Sequence, residues 1–223
     1  MRFATSLLVL LLVQLACAVP GASQEPTLPP QPTATTGPTI AYQDDFSDPN
    51  SGWQAEPFEA GERGYQDGGY RYLLNNPDWY GWEFNPSAIV FTDSIIEVDA
   101  TKTSGPDENE HGLICRLNYD ASTFYAGLIR SDGSYGIYNV TADTIDLVGM
   151  ATEGTSQFIN RGDVFNHIRF DCVGTTLTLY ANGQQLAQVT DSTYTSGETG
   201  LYVGTFETGG VEILFDNFMI YRP

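Results

Sequence analysis

Ser94-Ile95-Ile96-Glu97-Val98-Asp99-Ala100-Thr101-Lys102 is the stretch that decides the fold. Ile96, Val98 and Ala100 alternate with Glu97, Asp99 and Thr101, the period-2 signature of a strand with one buried and one wet face. The pattern recurs outward along the chain. In His111–Leu117, Leu113, Cys115 and Leu117 oppose Ile114 and Arg116. In Phe165–Cys172, Ile168, Phe170 and Cys172 oppose His167, Arg169 and Asp171. Thr175–Thr190 reads as a hairpin, because Asn182-Gly183 supplies the two positive-φ residues of a type I′ turn. No stretch sustains helical spacing. About a dozen short strands with such punctuation predict an all-β fold over 41–223: a two-sheet antiparallel sandwich or jelly roll without substantial helix.

The 223 residues carry 9 Lys+Arg against 28 Asp+Glu, a formal net charge of −19. A surface that displaces counterions from nucleic acid, or docks on an anionic membrane, needs clustered cations, so both are poor partners for this chain. An apolar fraction of 41%, with 12 Phe, 3 Trp and 13 Tyr, is ample for one core and too rich for a disordered acidic tail.

The N-terminus reads as an export address. Arg2 precedes the apolar run Leu7–Val13, and Ala16-Cys17-Ala18 follows, the order of a signal peptide over 1–18. Two readings stand. Ala16-Cys17-Ala18 fits an A-x-A cleavage site, which discards Cys17. Gln14-Leu15-Ala16-Cys17 resembles a lipoprotein box, with cleavage before Cys17 and lipidation of that residue. Both put the mature domain outside the cytoplasm, secreted or anchored at the surface, and membrane contact is expected only through such an anchor. Residues 19–40, proline- and threonine-rich without aromatics, read as a stiff linker. Cys115 and Cys172 then form an even pair in an exported chain, on the same face as core residues, and are expected to be disulfide-bonded.

Three segments carry a family resemblance: Asp44-Asp45-Phe46-Ser47 with Gly52-Trp53; Leu177-Thr178-Leu179-Tyr180-Ala181-Asn182-Gly183-Gln184; and Gly200-Leu201-Tyr202 with Phe215-Asp216-Asn217-Phe218. In that order they resemble the concanavalin A-like lectin/glucanase superfamily, and within it the laminin-G-like and 3-keto-disaccharide hydrolase-type domains of exported bacterial proteins. The resemblance implies two antiparallel sheets, one concave, with the first and last strands adjacent. It implies carbohydrate as the ligand class. It does not imply one activity, because the fold hosts binders, hydrolases and scaffolds.

The candidate residues follow. Laminarinase-like members carry Glu-x-Asp with a second Glu within three residues, the close carboxylate pair of a retaining mechanism. Here Glu97-Val98-Asp99 is followed by Ala100, Thr101 and Lys102, so that glutamate is missing and no catalytic residue is assigned. Rings stack on sugar C–H faces, which points to Trp79, Tyr80 and Trp82. Trp79 and Trp82 have opposite strand parity, so at most one of them faces the core. Tyr125 and Arg116, the latter expected on a wet sheet face, complete the predicted carbohydrate site. Asp45 and Asp216 would meet if the terminal strands pair, and related sandwiches hold structural calcium with such groups; no other cofactor is required. The expected function is an extracytoplasmic, non-catalytic, lectin-like module of modest affinity. The alternatives are a glycan hydrolase of the 3-keto-disaccharide type and a structural or adhesive sandwich.

Overall fold

Alternation of the Ser94–Lys102 kind buries one side of each strand only if two sheets face each other. The computed structural model, which describes residues 37–150 and 152–223, has two such sheets and no helix among those residues. The strands are β1 (Thr39–Asp44), β2 (Glu56–Phe58), β3 (Gly61–Gln66), β4 (Gly69–Leu74), β5 (Tyr80–Phe84), β6 (Ser94–Ser104), β7 (Asn109–Asn118) and β8 (Thr123–Ile129). There follow β9 (Ser134–Val140), β10 (Ile145–Leu147), β11 (Gly154–Thr155), β12 (Phe165–Val173), β13 (Thr176–Ala181), β14 (Gln184–Thr190), β15 (Glu198–Thr205) and β16 (Val211–Arg222).

Sheet A runs β14-β13-β12-β6-β16-β4-β3-β2, with β1 on β16, and sheet B runs β10-β9-β8-β7-β15-β5, with β11 on β9. Every pairing is antiparallel, and the terminal strands β1 and β16 are neighbours. The signal segment 1–18, Cys17 and the linker as far as Thr36 lie outside the described residues. Thr39 and Ile40, expected in the linker, already belong to β1.

Side chains of one parity meet between the sheets. Ile96, Val98, Ala100, Ile168 and Phe170 from sheet A pack with Leu113, Tyr125, Ile137, Leu201 and Val203 from sheet B. Cys115 on β7 and Cys172 on β12 are joined in a disulfide that ties the two sheets together across this core. Asn182 and Gly183 adopt positive φ (51° and 77°), as the hairpin requires.

The segments that carried the resemblance turn out to be structural. Phe46 and Trp53 pack edge-on at 5.2 Å, and Trp53 meets Tyr70 at 5.5 Å and Phe218 at 5.1 Å. Asp44 accepts hydrogen bonds from Trp53 Nε1 (3.0 Å) and from the Phe46 amide (2.8 Å), which fixes the chain where β1 ends. An aromatic cluster of this kind is worth on the order of 1 kcal/mol per ring pair beyond its area burial.

Two expectations of side-chain direction are corrected here. Arg116 does not reach a wet sheet face; it is 3% exposed. The reason is a β-bulge: Arg116 takes φ of 54°, the pairing of β7 shifts register after Cys115, and Leu117 turns to the side of Ile114. The Arg116 guanidinium then ties three loops by donating to the carbonyls of Thr92 (3.2 Å), Tyr194 (2.8 Å) and Gly174 (2.6 Å). Tyr125 is likewise buried, because it pairs opposite Cys115 and so points into the core. Its hydroxyl donates to Asp191 and accepts from the Tyr194 amide (3.0 Å). Neither residue is available to a ligand.

Candidate binding face

Sheet B is apolar on both sides. Residues of the other parity, turned away from sheet A, are Tyr80, Trp82 and Phe84 on β5, Tyr202 on β15, Ile114 on β7, Phe124, Ala126 and Leu128 on β8, and Tyr138 and Val140 on β9. No third layer of strands or helices lies over them among the described residues. Ile114, Phe124, Ala126, Leu128, Val140 and Tyr202 are 0–1% exposed and form a second buried cluster, so the part open to a ligand is its β5 edge, where Tyr80 is exposed and Trp82 and Phe84 are half-buried.

Register explains how so many rings fit. Tyr80 lies opposite Gly204, Trp82 opposite Tyr202 and Phe84 opposite Gly200. Glycines on β15 thus flank the Tyr202 ring and leave room for the β5 rings to lie across the strand. A Cβ at Gly204 would sit 3.2 Å from the Tyr202 ring and 3.4 Å from the Glu110 Cβ, so even alanine crowds the face. The rings of Tyr80 and Trp82 stack at 5.9 Å with planes 20° apart, and those of Tyr80 and Tyr202 at 6.0 Å and 10°. Trp82 continues onto Phe124 at 5.3 Å, and Phe84 meets Tyr119 edge-on at 5.6 Å. Tyr80 is 37% exposed and Tyr119 66% exposed, so the wall reaches solvent. A shallow depression of about 330 Å³ opens beside it, lined by Asp78, Trp79, Tyr80 and Trp82.

One end of the face is polar. Arg130, which follows β8 with the outward parity of Leu128, donates from Nη2 to Glu110 Oε1 (2.8 Å) and to Glu153 Oε1. Tyr138 donates its hydroxyl to the same Glu153 oxygen (2.7 Å). The guanidinium lies 4.2 Å from the centre of the Phe206 ring, a cation–π contact. Burial pushes the Glu110 carboxyl up, and Arg130 pulls it back down. Burial also opposes the Arg130 charge, but Glu110 and Glu153 hold the guanidinium firmly protonated. The result is a fixed group of two carboxylates, one cation and a phenol beside a wall of rings.

Of the residues predicted for the carbohydrate site, Tyr80 and Trp82 are together on this face. Trp79, of opposite parity, packs half-buried against the core between the sheets, its amide donating to Thr205 Oγ1 (3.0 Å). Glu97 and Asp99 are elsewhere, on the outer face of sheet A. There Asp99 bonds His167 Nδ1 (2.8 Å) and Asn217 Nδ2 (2.9 Å), and Arg169 joins Glu97 (3.5 Å) and Asp171 (2.7 Å). Asp45 and Asp216 lie near the β1–β16 pairing, and burial together with Asp99 and Asp45 raises the Asp216 carboxyl. Among the described residues no group of three or more His, Cys, Asp or Glu is arranged to hold a metal ion. His111 is buried within the sandwich, its Nδ1 3.0 Å from Asn109 Oδ1, and burial lowers its pKa to about 3.

Glu110, Arg130, Tyr138 and Glu153 are not among the residues that the sequence singles out. A signal was present. Tyr80-Gly81-Trp82-Glu83-Phe84 alternates aromatics at one parity, and Gly200-Leu201-Tyr202-Val203-Gly204 is apolar at both.

No protein-family profile and no curated protein matches the sequence. Solved structures do match by fold. The carbohydrate binding module CBM66 from Bacillus subtilis aligns over 82% of this chain and 97% of its own, at 16% identity and a TM-score of 0.51. A Bacillus subtilis protein of unknown function with a galectin-like fold aligns over 82% and 95%, at 12% identity and a TM-score of 0.59. The GlcNAcα1-4Gal-releasing endo-β-galactosidase from Clostridium perfringens aligns over 87% of this chain and 65% of its own, at 11% identity and a TM-score of 0.57. At these identities the likeness establishes the galectin-like sandwich, and that alone.

Proposed function

We propose that this chain is an extracytoplasmic, non-catalytic carbohydrate-binding domain that takes a glycan on the outer face of sheet B. The observation that carries the reading is the stacked pair Tyr80–Trp82, which reaches solvent and is backed by the buried Tyr202, beside the fixed group Glu110–Arg130–Glu153. Flat rings offer C–H stacking, and positioned polar groups set orientation, which is the composition of a saccharide site. The fold likeness to a carbohydrate-binding module and to a glycan-cleaving enzyme supports the ligand class. The signal-like segment 1–18 supports export, with Cys17 either removed or lipidated as a tether. The branch of laminin-G-like and 3-keto-disaccharide hydrolase-type domains is the placement we favour within the superfamily.

Binding rather than cleavage is favoured by the way the two close carboxylates are held. Glu110 and Glu153 contact the same Arg130 nitrogen, so the guanidinium occupies the space that a scissile bond needs between acid and nucleophile. Stacking sites without strong ionic bonds give modest affinity, roughly micromolar to millimolar. Titration calorimetry against oligosaccharides identified on a glycan array tests the reading. Trp82→Ala should abolish binding with the fold intact. Product release from the same glycans, lost in Glu110→Gln or Glu153→Gln, would instead identify a hydrolase. An absence of glycan binding across the array would leave the adhesive sandwich.

A further inference from the structure

We infer that the ring face selects saccharides by charge: it accepts neutral and amine-bearing sugars and rejects those carrying carboxylate or sulfate. This rests on the glycan-binding reading and adds the ligand class to it. The polar end holds two carboxylates and one cation, so it is net anionic. Arg130 Nη2, the nitrogen turned to the carboxylates, is committed to both of them. The guanidinium carbon also lies 4.2 Å from the centre of the Phe206 ring. The second oxygens, Glu110 Oε2 and Glu153 Oε2, take part in neither bond and are acceptors. Acceptors match sugar hydroxyls and ammonium groups, not another carboxylate. At the other side of the rings the depression is edged by Asp78, again an acceptor.

Among the described residues the other cations, the exposed Arg161 and Arg222 apart, are paired or buried. Arg63 is paired with Glu83, Arg71 with Glu62 and Glu212, Lys102 with Asp107 and Asp163, and Arg169 with Asp171. Arg116 is buried among carbonyls, and Arg222 lies over Phe91. Arg161 is exposed and lies beside the Gly133 turn. With a chain charge of −19 behind the site, an anionic glycan is repelled locally and at long range.

The test uses pairs that differ in charge and little else: methyl-esterified and de-esterified homogalacturonan, sialyllactose methyl ester and sialyllactose, and N-acetylated and deacetylated chito-oligosaccharides. Binding of the full domain is measured at low and high salt. In each pair that binds, the less anionic member should bind at least about tenfold tighter, as one uncompensated charge a few ångströms away predicts. The gap should shrink in high salt, where the screening length falls to about 3 Å. Glu153→Gln should also narrow the gap, and Glu110→Gln serves if that variant misfolds. Glu97→Gln, which removes the same charge from sheet A, should leave the ratio unchanged. An anionic member that binds as tightly as its partner, or a gap insensitive to both glutamate variants, overturns the inference while leaving glycan binding standing. Failure of every pair to bind overturns the glycan reading, and the selectivity falls with it.

Discussion

Arg63 Nη1 lies 3.0 Å from Glu83 Oε2, and the pair closes the sandwich between β3 of sheet A and β5 of sheet B. Glu83 is on the same strand as Tyr80 and Trp82 but has inward parity, so the ion pair holds from behind the strand that presents the rings. Burial pushes the Glu83 carboxyl from 4.5 up to about 7, against the pull of Arg63.

That shift predicts a pH dependence. A carboxyl whose folded pKa lies above its unfolded value binds its proton more readily when folded, so its contribution to stability is greatest at low pH. The contribution is lost as pH rises from about 4.5 to about 7. Melting temperatures of the wild type should therefore fall across that window relative to Glu83→Gln, which cannot titrate. Parallel melting profiles for the two proteins would show that Arg63 keeps the carboxylate ionised throughout.

Arg116 should matter for stability and not for ligand. Arg116→Met leaves three loop carbonyls without their buried donor, and is expected to cost about 3 kcal/mol or more. Denaturant titration measures the loss. Glycan affinity of the folded fraction should stay within about twofold of wild type, a difference of roughly 0.4 kcal/mol.

The two tryptophans should separate cleanly. Trp82→Ala removes the centre of the ring wall and should abolish detectable binding at a small cost in stability. Trp79→Ala empties part of the core and should cost about 3 kcal/mol with weaker effects on binding. Reversal of this pattern would place the ligand in the Asp78–Trp79 depression instead.

Joint replacement of Cys115 and Cys172 by alanine removes a crosslink spanning 57 residues of sequence. A loss of about 2–5 kcal/mol is expected by chain-entropy reasoning. Thermal unfolding with and without reductant provides the same comparison on the unmodified protein.

Much of the fold was legible because burial and period-2 alternation coincide in β6 and β12, and Asn182-Gly183 names its own turn. The disulfide followed from the shared parity of its cysteines. Arg116 was misread because a bulge is one residue of left-handed backbone, and nothing in Cys115-Arg116-Leu117 announces it. Tyr125 was misread for a related reason: a strand apolar on both faces, such as β8, hides which parity points inward. The polar end of the site was harder still. Glu110, Arg130 and Glu153 are separated by 20 and 23 residues and meet only through sheet pairing.

The bridge between β7 and β12 also has a mechanical meaning. The N-terminal strand β1 belongs to sheet A, whereas the ring face belongs to sheet B. Load applied between β1 and a ligand gripped by the rings has to cross from one sheet to the other. Packing alone would let the layers peel apart under such tension. The Cys115–Cys172 bond sits in that load path and converts a sliding interface into a covalent stop.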